Sequence, residues 1–162
     1  MKHLLLLLIF VPLLTLGQKV KIDVLTHIPY CGAARPTAEI GRGKDELTPN
    51  YIIILIERTS KKRIEIKTNA EGSWSGKLKP GVYEAYRLDK TLSNDELKLK
   101  YKLEHTENFR YQGDECLDDW KIEPDYVLEV AKNKKQSFTI TIRSYCYRGT
   151  RPCIEYTGPK PY

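Results

Sequence analysis

Apolar and polar residues alternate along this chain in short runs, and few of those runs have a helical period. Val20 to Leu25 alternates and predicts a first strand. Tyr51 to Arg58 is a continuous β-branched run bounded by turn formers, which predicts a central strand apolar on both faces. Arg63 to Thr68 alternates with Ile64 and Ile66 on one face. Trp74 and Leu78 point to a core, Asn69 to Gly72 and Pro80-Gly81 form turns, and Val82 to Leu88 is a further strand. Asp125 to Val130 and Ser137 to Cys146 complete the set. In the last run Phe138, Ile140, Ile142, Ser144 and Cys146 share one face, and Thr139, Thr141, Arg143 and Tyr145 share the other.

Two regions depart from this pattern. Pro29 to Pro49 is punctuated by Gly and Pro and predicts a long ordered loop held by Cys31. Around 91–120 the signals conflict. Ser93-Asn-Asp-Glu96 has the form of a helix capping box, yet Leu97, Leu99, Tyr101 and Leu103 alternate with lysines as in a strand. Cys116 and Trp120 share a face only if their segment is helical. The expected fold is an all-β sandwich of about seven strands with an irregular or partly helical insertion around 91–120.

Residues 1–17 have the form of a secretory signal peptide. A basic start at Lys2 and His3 precedes the apolar Leu4 to Leu16, and Thr15-Leu16-Gly17 offers small residues for cleavage before Gln18. That leaves residues 18–162 as one domain, exported to the periplasm or the extracellular space, with no membrane span after processing. The whole chain has a formal charge of +6, and its basic residues are scattered among acidic ones. Nucleic-acid binding would need a clustered stripe. Cys31, Cys116, Cys146 and Cys153 all lie in the exported part. Their spacing lacks the paired ligands of a zinc site, so two disulfides are expected, with three pairings open. The acidic run Asp114 to Asp119 lacks the alternating spacing of a calcium loop and reads as a solvated segment tied by Cys116.

The segment "TNAEGSW" followed by "LKPGVY", within Thr68 to Tyr83, resembles a recurrent hairpin of prealbumin-like β-sandwiches. These include the carboxypeptidase regulatory-like domains and the B-type repeats of bacterial surface adhesins. The resemblance implies a non-catalytic folding, docking or spacer role. The whole chain is also similar to a group of small exported bacterial proteins. The shared features are Pro29 to Thr37, Cys116 with Trp120 and Pro124-Asp125, and the end from Arg151 to Pro161. A third likeness is to the transthyretin-like 5-hydroxyisourate hydrolases, through Thr26-His27-Ile28, Arg35-Pro36 and Tyr147-Arg148-Gly149-Thr150. In such an enzyme a His activates water and an Arg holds the anionic substrate. This chain runs on past Thr150, and it lacks the family's second His.

Arg35 follows Cys31, while Arg148 and Arg151 lie between Cys146 and Cys153. Disulfides that gather these loops would place Arg35, Arg148, Arg151 and Tyr147 at one end of the sandwich as candidate contacts for a carboxylate, phosphate or glycan. The alternative is that each arginine bonds loop carbonyls. The sequence therefore predicts a monomeric, non-catalytic binding or structural module of the cell envelope. It has no cofactor or metal, its partner is an envelope protein or a glycan, and hydrolysis through His27 is the competing activity.

Overall fold

Strand β1 (Gln18–Ile28) is the hub of the first sheet. The computed structural model describes residues 17–32 and 35–159; residues 1–16, most of the segment expected to be a signal peptide, lie outside the described residues. The loop after β1 was expected to be irregular throughout. Instead it makes one 3-10 turn (Ile40–Arg42) and then strand β2 (Lys44–Leu47), which pairs antiparallel with the C-terminal half of β1. The sequence hides β2 because all four of its residues are exposed, so no alternation marks it. β3 (Ile52–Glu57) and β4 (Arg63–Lys67) form an antiparallel pair. β5 (Ser73–Leu78) then crosses to pair with the N-terminal half of β1, and β6 (Gly81–Arg87) returns to pair with β3. The segment likened to a hairpin is thus a double crossing between sheets. Gly72 permits the first crossing: its φ is 68°, and a Cβ there would meet the Thr48 nitrogen at 2.9 Å.

The insertion begins with a 3-10 turn (Leu88–Thr91) and α1 (Asn94–Tyr101). The capping box forms: the Ser93 hydroxyl accepts from the Glu96 N–H, and the Ser93 N–H donates to the Glu96 carboxylate. This settles the conflict in favour of helix. Leu97 is buried while Leu99, two residues on, is 83% exposed, which a strand facing one core would not produce. β7 (Phe109–Tyr111) and α2 (Asp114–Ile122) follow. β8 (Tyr126–Val130) closes the second sheet in the order β4-β3-β6-β8. β9 (Gln136–Arg143) runs parallel to β1 at the edge of the first sheet. β10 (Ile154–Tyr156) joins neither sheet and pairs with β7 in a two-stranded ribbon.

The molecule is an all-β sandwich with a partly helical insertion. Ten strands are described, against about seven expected; β2, β7 and β10 are too short to show a period. The inward faces of both sheets make the main core, in which Ile22, Val24, Leu55, Ala85 and Leu128 have no exposure. Each of these Ile, Val and Leu side chains contributes about 1.5–3 kcal/mol by leaving water. A second, smaller core joins Leu97, Leu103 and Leu117 to Cys153 and Ile154, so the C-terminal segment belongs to the insertion and not to the sheets.

Candidate functional site

The disulfides pair Cys31 with Cys146 and Cys116 with Cys153, with Cα separations of 5.5 and 5.8 Å. One fastens the turn after β9 to the loop after β1. The other fastens the next stretch of chain to α2 inside the second core. Between Cys146 and Cys153 the chain reverses tightly, with Tyr145 and Gly149 exchanging backbone N–H···O bonds of 2.9 Å. Tyr147 takes φ 67°, a left-handed conformation that costs about 1–2 kcal/mol for a residue with a Cβ. Its ring stacks on Tyr156 at 4.3 Å, which helps to hold it there.

This reversal forms one wall of a cleft of about 740 Å³. The opposite wall is α2, through Cys116, Asp119 and Trp120, continued by Glu123, Pro124, Asp125 and Tyr126 at the start of β8. Thr141 and Arg143 on the outward face of β9 form the third side. At the base lie Arg87 and Lys90, from the end of β6 and the turn after it. Five cations and three carboxylates line the cleft, so it carries an excess of positive charge.

Four of those cations are already engaged. Arg148 donates to the Ile154 carbonyl at 3.1 Å and lies 3.9 Å over the Tyr145 ring. Arg151 donates to the carbonyls of Arg148 and Tyr147 at 2.9 and 3.2 Å and covers the Phe109 ring. Arg87 grips Asp125 with Nε and Nη2 at 3.0 and 2.8 Å, and its backbone N–H adds a third bond to the same carboxylate. Lys90 donates to the Glu123 carbonyl at 2.6 Å, and its Nζ lies 4.9 Å from the Trp120 ring. Burial pushes the Lys90 ammonium below its usual range, with Asp125 pulling the other way. Arg143 differs: its guanidinium is exposed and has no hydrogen bond or ion pair among the described residues.

A second, shallower pocket of about 610 Å³ lies along the same end, lined by His27, Pro29, Asp45 and Ser144. It shares Thr141, Arg143 and Tyr145 with the cleft, so Arg143 stands where the two meet. His27 faces Arg143 across the β1–β9 register and Asp45 across the β1–β2 register. Its Nδ1 lies 2.7 Å from the Asp45 carboxylate.

The four predicted contact residues are thus divided. Arg148 and Arg151 line the cleft while bonding loop carbonyls, the role weighed as their alternative. Tyr147 packs on Tyr156 and lines neither pocket, and Arg35 is exposed beside Cys31 and lines neither. His27 and Arg148, paired in the hydrolase likeness, line different pockets. Sequence reading missed Arg143, although its signal was present: it ends the outward face of an alternating strand, three residues before a cysteine. No cluster of three or more metal-ligating side chains occurs among the described residues. Asp114 instead meets Lys98 and Tyr111, and Asp118 meets Asn94 and Lys121. Comparison of the chain with protein-family models, curated proteins and solved structures yields no match.

Two disulfides are compatible with export to an oxidising compartment. No helix among the described residues is long and apolar enough to cross a membrane.

Proposed function

We propose that the chain is an exported, disulfide-stapled sandwich of prealbumin-like type that acts as a non-catalytic binding module. Its cleft takes an anionic group, and Arg143 is the residue that receives it. The observation that supports this most is the contrast among the cations. Four spend their donors on the protein, whereas Arg143 keeps its full guanidinium fork free at the junction of two pockets. Thr141 and the exposed Tyr145 flank it with a hydroxyl and a ring.

The test is an NMR titration of the processed, oxidised chain with glutarate as a minimal dicarboxylate. Amides of 141–151 should shift saturably, and the shifts should weaken with added salt. Arg143→Gln should weaken binding about tenfold or more, since a hydrogen bond to a charged group contributes about 1.5–3 kcal/mol. Unmoved amides, or equal binding by the variant, would defeat the reading.

A hydrolytic reading has one observation in its favour. The His27–Asp45 pair orients an imidazole as a general base requires. It requires that His27→Ala abolish turnover of a hydrolysable anion; a binding module would keep its affinity for glutarate in that variant.

A further inference from the structure

Among the described residues, every edge strand of the two larger sheets except β9 carries a lysine or a carboxylate. Exposed edge strands invite pairing with other chains, and proteins commonly blunt them with lysine, other charges or shortness. Here β2 carries Lys44, Asp45 and Glu46; β4 carries Arg63, Glu65 and Lys67; β5 carries Lys77; and β8 carries Glu129. β9 pairs only with β1 and is the longest edge strand, at eight residues. Its sequence QSFTITIR contains no lysine and no carboxylate, and its outward positions before the terminal Arg143, namely Ser137, Thr139 and Thr141, are uncharged.

Charge is present at the two ends of this edge. Lys134 and Lys135 stand exposed in the turn before it, and Arg143 stands at its end. None of the three has an ion-pair partner among the described residues. Eight residues of strand span about 26 Å at roughly 3.3 Å each. The C-terminal half of the edge runs into the cleft, where Thr141 and Arg143 form one side.

We propose that β9 is a docking edge for an extended acidic peptide segment of a partner protein, which adds as a strand and sets a carboxylate on Arg143. This rests on the anion-binding reading of the cleft and extends it. Main-chain bonds to the edge supply affinity, and the cations at each end select acidic over basic segments. A second copy of this chain fits poorly. Antiparallel pairing of two β9 strands would set Lys134 and Lys135 of one copy against Arg143 of the other.

The probe is a capped octapeptide alternating Glu and Thr, titrated into the labelled, processed chain. It should shift amides 136–143 and slow hydrogen exchange at alternate residues of β9. The same peptide N-methylated at alternate amides should bind at least tenfold more weakly, as should the Lys-for-Glu peptide and the Arg143→Glu variant. Equal binding by the N-methylated peptide overturns strand addition. Glutarate shifts at Arg143 without any change in β9 exchange also overturn it; either result leaves the anion site standing. Silence of residues 141–151 toward both glutarate and peptide removes the anion site and the docking edge together. Tighter binding of oligogalacturonate than of the peptide replaces the peptide with a glycan. A concentration-dependent dimer that protects β9 without peptide replaces it with a second copy.

Discussion

Asp125→Ala is expected to be among the most costly single changes in the molecule. Asp125 accepts three N–H groups of Arg87, at 2.8, 3.0 and 2.8 Å, and lies 3.4 Å from Lys90 Nζ. All three side chains are largely buried, with exposures of 12% for Arg87, 13% for Asp125 and 4% for Lys90. Burial opposes the charge on Arg87, and the carboxylate outweighs it, so the guanidinium is held more firmly protonated than usual. Removing one partner of a buried pair costs about 3–5 kcal/mol, because the other charge is left uncompensated. Here one carboxylate serves two cations, so its loss strands both. Loss of Arg87 leaves Asp125 with Lys90, and loss of Lys90 leaves the Arg87 fork intact. The expected order of cost is Asp125→Ala, then Arg87→Met, then Lys90→Met. For a chain of this size Asp125→Ala should lower Tm by about 6–20 °C, taking 2–4 °C per kcal/mol. Urea unfolding of the two single variants and the double Arg87→Met/Asp125→Ala should show coupling of about 1.5 kcal/mol or more. Additive losses, a cost for Asp125→Ala below about 1 kcal/mol, or a larger loss for Lys90→Met would refute the reasoning.

Three further outcomes are expected. Replacing Cys116 and Cys153 by Ala frees a 37-residue separation, and chain entropy puts the loss at about 4 kcal/mol. Hydrogen exchange should then rise in β7, α2 and β10 while β3 and β6 keep their protection; uniform loosening would contradict two separable cores. Leu97→Ala should cost about 2–5 kcal/mol, whereas Leu99→Ala, at 83% exposure, should stay within about 0.5 kcal/mol by thermal denaturation. Glu57 accepts from Ser60 and Thr59, and these bonds lower its carboxyl from 4.5 to about 2. Its stabilising effect is therefore full above pH 4.5 and lost as pH falls toward 2; a folded-state titration midpoint near 4.5 by carboxyl NMR would disprove the assignment.

What the sequence disclosed follows from which residues face a core. β3, β4, β6 and β9 bury one face or both, so their side chains print the pleat as alternation or as a continuous apolar run. β2 buries nothing and β10 is three residues long, so neither leaves a period to read. In α1 the lysines at every second position imitate a strand, and the local capping box outweighs them. The arginines were legible as a cluster but not as individuals. Which of them is spent on a carbonyl depends on how the chain folds back after Cys146, and no local pattern encodes that path. The cysteine pairing was hidden for the same reason, since Cys153 reaches α2 only once β10 has docked on β7.

The cleft exists because its walls belong to different cores. β9 and the start of β8 are carried by the sandwich, whereas α2 and the chain after Arg151 are carried by the insertion. Elements of one core would pack together and close the space between them. Here the Arg87–Asp125–Lys90 node joins the two bodies at the base, and the two disulfides clamp the reversal at Tyr147 from either end. The mouth above that base is kept open by parts that cannot collapse onto each other without breaking a staple or a buried ion pair. A ligand meeting Arg143 therefore finds a site already shaped, and little ordering cost offsets the contacts it makes.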